Sequence, residues 1–306
     1  MRTSLIRFLN DSEGTSPVDT YVRDVAAAHD SGFHRIWTVQ LPWDPDVVVT
    51  LAVALREVPG IRLASGVLPI QGRHPMVMAQ EALTLSSFAE GRFALGIGVT
   101  HALVSEGMWG IPWNRHVSRM EEYLNSLLPL LEGREAAVEG ETVTCRGTIS
   151  VPGATPPEVF LAALGPRMLD IAGRRTAGTL TWMVGPRTLR NHVVPTLRRA
   201  AEGAARTADV AAAYPVCVTD DPVKARELAV ELYALYGTLP SYRAMLDREG
   251  LDEPADIAII GDEDHVGRRL SELADLGVAE FTAHIFGPSR EDRDRTWATL
   301  REAAQA

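Results

Sequence analysis

The chain alternates eight short apolar segments with long helical patterns, and no other feature limits its fold so strongly. The apolar segments lie at 4–9, 35–39, 62–67, 93–97, 159–163, 178–182, 213–218 and 280–286. Helical periodicity falls between them, near 18–31, 45–57, 75–89, 115–132, 166–174, 186–204, 222–237 and 264–276, with a last helix near 289–304. Strands that alternate with helices build a parallel sheet, and eight such units imply a (β/α)8 TIM barrel of the α/β class. At 306 residues the chain suits one barrel domain spanning 1–306, with insertions near 135–157 and 238–263. In the first insertion the alternation of 140–147 predicts a β-hairpin. In the second, 239–247 predicts a short extra helix.

Local signals agree with these boundaries. Asp30-Ser31-Gly32 places a glycine just past the first helix, and Gly277 repeats that placement before the last strand. Val58-Pro59-Gly60 stops the second helix. Gly165-Pro166 and Asp221-Pro222 open two others with proline in the first turn.

Charge and cysteine content narrow the function. A formal charge of −10 argues against a nucleic-acid partner, which calls for basic patches. No run of apolar residues is long enough to span a bilayer, and residues 1–8 lack a signal-peptide core, so no membrane association and a cytoplasmic location are expected. Cys145, in the expected hairpin, and Cys217, at a strand end, read as reduced thiols. The eight histidines show no metal spacing on a helix, and no Walker loop, His-Glu-x-x-His or Cys-x-x-Cys occurs, so no metal is expected.

The segment Gly91-Arg-Phe-Ala-Leu-Gly-Ile-Gly-Val-Thr-His101 concentrates the functional signal. Gly96 and Gly98 at a strand's carboxyl end permit close backbone approach, and Thr100 and His101 follow at the mouth, where barrel enzymes build their sites. Ser65 and Gly66 interrupt the third strand, as a bulge or a ligand contact does. Beyond the second strand stand Gln40, which can bond a ligand or cap its turn, and Trp43, a candidate pocket wall. Trp109 and Trp113 lie in a loop before a helix that carries Arg115 and Arg119 on one face, either for an anionic tail or as surface pairs with Glu121 or Glu122. After the fifth strand, Leu164-Gly165-Pro166-Arg167-Met168 puts a helix N-terminus at the mouth, a place for an anion. His284 lies within the last strand, where a bonded core histidine is the plain reading.

These blocks resemble the luciferase-like monooxygenase superfamily and, within it, the coenzyme F420-dependent oxidoreductases. The matching residues are Gly32-Phe33 with Ile36-Trp37, Ser65-Gly66-Val67 with Arg73-His74-Pro75, Gly91–Gly98, Glu106-Gly107-Met108 with Arg119–Leu124, and Leu161–Gly173, in the expected order along most of the chain. The resemblance implies a bacterial luciferase-like barrel with the deazaflavin ring at the carboxyl ends of the strands. It implies a non-proline cis peptide at Gly66–Val67, ring contacts at Gln40, Ser65, Gly66, Val67, Gly98, Thr100 and His101, and phosphate-side contacts at Leu164, Gly165, Arg167 and Met168. Some family members carry an Asp-His pair after strand two and a glutamate after strand four. This chain has Val39-Gln40 and His101 there, which speaks against a sugar-phosphate dehydrogenase.

The implied activity is hydride transfer from reduced coenzyme F420 to a C=C or C=N bond of a small organic substrate. His101 is the expected proton donor, Gln40 an orienting group, and Trp43, Trp109, Trp113 and Trp182 the walls of a substrate pocket. The alternatives are an FMN-dependent monooxygenase on the same fold and a non-catalytic flavin-binding barrel; a metal-dependent hydrolase ranks lower. Family members are often homodimers, so a homodimer is expected here.

Overall fold

The computed structural model describes residues 1–11 and 16–305. Eight parallel strands carry the architecture: β1 (Arg2–Phe8), β2 (Ile36–Val39), β3 (Leu63–Ser65, resumed at Leu68–Pro69), β4 (Phe93–Gly98), β5 (Glu158–Ala162), β6 (Gly178–Trp182), β7 (Asp209–Val218) and β8 (Glu280–Ile285). Their pairing order, β7-β8-β1-β2-β3-β4-β5-β6 with β6 paired again to β7, is that of a (β/α)8 barrel. The larger helices are α1 (Pro17–Asp30), α2 (Val47–Glu57), α3 (Pro75–Ala89), α4 (His116–Leu131), α5 (Pro166–Arg175), α6 (Val194–Gly203), α7 (Pro222–Thr238), α8 (Pro240–Glu249), α9 (Glu263–Asp275) and α10 (Arg290–Gln305).

The chain forms two compact units. One comprises Phe8–Ala27 and Trp37–Ala162. There β4 lies between β3 and β5, with Leu63 opposite Phe93 and Gly96 opposite Phe160. Every residue of β4 is buried, which explains a continuous apolar run in place of alternation. Trp37 meets Phe160 edge-on at 5.2 Å, and the Tyr21 and Thr38 hydroxyls share a hydrogen bond.

The other unit comprises Met1–Arg7, Ala28–Ile36 and Ala163–Ala306. In it β7 pairs with β6 and β8, and β8 with β1. Gly32, at φ +86°, closes α1: its N–H reaches the His29 carbonyl and that of Phe33 reaches Ala28, the double bond pattern of a Schellman cap.

The third strand is interrupted as expected, and two other elements depart from the sequence pattern. The third strand breaks at Gly66-Val67, where the chain bulges. β7 begins at Asp209 rather than 213, because Val210-Ala211-Ala212 pair in register with β6 although alanines carry little strand signal. The helical pattern at 186–204 is not one α-helix: it passes through a π segment, Leu189–Val193, before α6.

Both insertions fold. Ala136–Glu139 pairs antiparallel with Thr144–Gly147 as a hairpin, whose turn is held by the Glu122 carboxylate of α4. In the second, α8 is followed by a short strand, Ile259–Gly261, paired to the end of β7. Among the described residues no helix is long and apolar enough to cross a membrane.

Candidate active site

The carboxyl ends of β3 and β4 are built around two missing side chains. A Cβ on Gly96 would stand 2.0 Å from the Ser65 carbonyl oxygen, and one on Gly98 would stand 2.9 Å from a Val67 methyl and 3.0 Å from Ala162. The glycines therefore receive the β3 bulge; it, rather than a ligand, fills the space beside them. The fully buried Ser65 hydroxyl accepts the Gly96 N–H at 2.9 Å and donates to the Gly96 carbonyl at 2.8 Å. The Gly66 N–H donates to Thr38 at 2.7 Å, and the Gly66–Val67 peptide is cis, as the family resemblance implied. Gly66 and Val67 remain half-buried, and the Val67 methyls lie over Gly96 and Gly98.

Past β4 the chain is braced by its own side chains. The Trp113 indole N–H donates to the Thr100 carbonyl at 2.6 Å, and the Glu106 carboxylate accepts the Trp113 N–H at 2.9 Å. His101 precedes a short helix, Ala102–Ser105, and its carbonyl accepts from Val104 and Ser105. Burial pushes the His101 imidazole below its ordinary pKa, which favours the neutral ring.

A cavity of about 250 Å³ opens at the ends of these strands, lined among others by Gln40, Asp44, Arg73, Thr100 and Trp109. Gln40 uses both ends of its amide on its own loop: Oε1 accepts the Val47 N–H at 3.0 Å and Nε2 donates to the Leu41 carbonyl at 2.9 Å. Gln40 thereby caps its own turn. Arg73 lies between Asp46 at 2.5 Å and Glu81 at 3.3 Å. Burial raises the Glu81 carboxyl in spite of the guanidinium beside it. Trp43 and Trp109 are 58% and 37% exposed, and Leu103 and Met108 are exposed with them. Arg115 pairs with Glu141 of the hairpin turn.

In the other unit, the turn Leu164–Met168 leads into α5. Gly165 is its N-cap and offers no side chain to the first-turn N–H groups, and open space lies where its Cβ would be. Arg167 is exposed and Met168 buried. Trp182, at the end of β6, meets Tyr233, Tyr236 and His284 edge-on at about 6 Å. The His284 Nδ1 shares a 2.8 Å hydrogen bond with the Tyr233 hydroxyl, so this histidine is a bonded core residue. Among the described residues no three His, Cys, Asp or Glu side chains gather as a metal site.

The profile of the luciferase-like monooxygenase family matches residues 3–303. The chain belongs to the luciferase-like monooxygenase family. Over 311 residues it is 25% identical to the 5,10-methylenetetrahydromethanopterin reductase of Methanolobus tindarius, covering 90% of this chain and 94% of that one. The coenzyme F420-dependent tetrahydromethanopterin reductase of Methanopyrus kandleri superposes with a TM-score of 0.81 at 21% identity, covering 99% and 97%. The FMN-bound oxygenating constituent of 3,6-diketocamphane monooxygenase, from a plasmid of Pseudomonas putida, superposes at 0.78 with 18% identity, covering 100% and 97%.

Two residues of this luciferase-like chain escaped sequence reasoning. Gln71 is buried and accepts the Thr100 N–H at 3.2 Å. His192, on the π segment, has its Nε2 2.8 Å from the Leu164 carbonyl and braces the turn that opens α5. Neither carries a motif. The one signal near His192 is positional, since π segments recur near functional residues.

Proposed function

We propose that the protein is an oxidoreductase that uses reduced coenzyme F420 to reduce a C=C or C=N bond of a small organic molecule. The observation that carries this reading is the paired construction of β3 and β4, in which the bulge at Gly66-Val67 is seated on Gly96 and Gly98 and followed by the braced Thr100-His101 step. The relationship to a methylenetetrahydromethanopterin reductase supports it. When bound, the reduced deazaflavin supplies a hydride from its C5.

The residues present fit such a group. A flat ring suits the half-buried bulge at Gly66 and Val67, with Gly98, Thr100 and His101 beyond it in the chain. Ser65 acts through Gly96 from beneath, and Gln40 holds the loop after β2 in place. In its own unit, the turn Leu164-Gly165 with Arg167 and Met168 suits a phosphate, because an uncapped helix N-terminus offers backbone N–H donors and positive potential.

In its imidazolium form His101 donates the proton that reaches the atom next to the reduced carbon and returns to the neutral ring. Burial disfavours the charged form, so proton delivery strengthens as the solution becomes more acidic. Trp43, Trp109 and Trp113 favour an apolar or planar substrate, and Trp182 adds an aromatic wall in its unit.

A second reading, an FMN-dependent monooxygenase, draws on the likeness to the FMN-bound fold. Thermal-shift titration separates the two: F420 raises the melting temperature under the first reading, and FMN alone does so under the second.

A further inference from the structure

Gln71 lies two residues past the end of β3. Its neighbour Ile70 donates its N–H to the Gly98 carbonyl at 2.9 Å, and a Cβ on Gly72 would stand 3.8 Å from the Trp109 ring. The residue is 3% exposed, and its Oε1 accepts the Thr100 N–H. That donor fixes which end of the amide is oxygen. The buried Nε2 meets no acceptor among the described residues. Opposite, the Thr100 carbonyl accepts from the Trp113 indole. Both backbone polar groups of Thr100 are thus held by side chains, one from the loop after β3 and one from the loop after Ala102–Ser105.

We propose that Gln71 is a positioning residue for the Thr100-His101 step, forming with Trp113 a two-sided clamp on Thr100. The role rests on the reading that Thr100 and His101 serve a bound cofactor. Stability alone is a poor reason for this glutamine. One hydrogen bond gained by a buried amide is offset by the desolvated donor at its other end, whereas an apolar side chain of the same length would fill the space without that cost. What glutamine adds is an acceptor at one fixed place. Thr100 needs one because strand pairing ends at Gly98, opposite Pro69, and offers nothing further along the chain.

The test compares the full-length wild type with Gln71→Met, which keeps the length and removes the amide, and Gln71→Asn, which keeps the amide and shortens its reach. Three quantities are read: melting temperature, amide hydrogen exchange at Thr100, and F420 affinity from its fluorescence. The clamp predicts exchange at Thr100 faster by about tenfold and F420 bound about tenfold more weakly in both variants, whatever small change the melting temperature shows. Wild-type exchange at Thr100 in both variants overturns the proposal. So does a lower melting temperature with unchanged F420 affinity, the mark of a purely structural residue. A wild type that binds no F420 overturns the cofactor reading instead, and the exchange data then decide the clamp alone.

Discussion

Ser65 and Gly96 hold each other through both backbone groups of the glycine: the one serine hydroxyl accepts the Gly96 N–H and donates to the Gly96 carbonyl. The pair locks the β3 bulge onto β4, and two substitutions test it. Gly96→Ala places a methyl 2.0 Å from the Ser65 carbonyl oxygen, a backbone atom that cannot rotate away. The expected loss of stability is about 3 kcal/mol or more, read by denaturant unfolding. Ser65→Ala leaves buried backbone groups short of a partner, at about 1–3 kcal/mol.

Acid affects His101 in two opposite ways. Burial lowers its folded-state pKa below the unfolded value near 6.5, so the unfolded chain takes up the proton first and stability declines as pH falls through that value. Under the proposed role catalysis runs the other way: the protonated ring is the better donor, so turnover by the folded protein is expected to rise as pH falls toward the depressed pKa. His101→Ala removes both trends and slows turnover by about a hundredfold or more. A pH–rate profile beside a pH–stability profile checks both.

The hairpin on α4 is a carboxylate latch. Burial alone would raise the Glu122 carboxyl, but donors from Thr142 and Val143, with the Arg119 charge, outweigh it and hold the pKa below the ordinary glutamate value. A carboxylate with a depressed pKa stabilises at neutral pH, and that contribution is lost as pH falls through the ordinary glutamate range into the folded-state value. Glu122→Ala is expected to speed amide exchange across 140–147 while the barrel strands stay protected, as measured by hydrogen exchange at pH 7.

A second carboxylate, Glu249 of α8, accepts the Arg187 and Thr188 N–H groups at 3.0 and 2.7 Å and the Thr188 hydroxyl at 2.6 Å. It caps the helical turn Pro186–Thr188 that follows β6. Glu249→Ala is expected to cost about 1–3 kcal/mol in denaturant unfolding, since three donors lose a charged acceptor.

The strand and helix alternation was legible because its signals are local. Asp30-Ser31-Gly32 and Gly165-Pro166 mark their helix ends by backbone chemistry that depends on neighbours in sequence. The start of β7 was hidden because Val210-Ala211-Ala212 are held by partner strands rather than by their own propensity. Gly96 and Gly98 were conspicuous, yet their purpose was not, since the Ser65 carbonyl and Val67 reach them from 31 residues away. Gln40 and Gln71 look alike in sequence. Only the fold shows one turned back onto its own loop and the other reaching Thr100 across the ends of β3 and β4.

The central claim is tested most directly by following the absorbance of reduced F420 with the protein, without oxygen, against a panel of unsaturated and imine acceptors. The account predicts oxidation of the cofactor that depends on one class of acceptor and slows with His101→Ala. Oxidation that occurs only when oxygen is admitted, or a protein stabilised by FMN and not by F420, would contradict it.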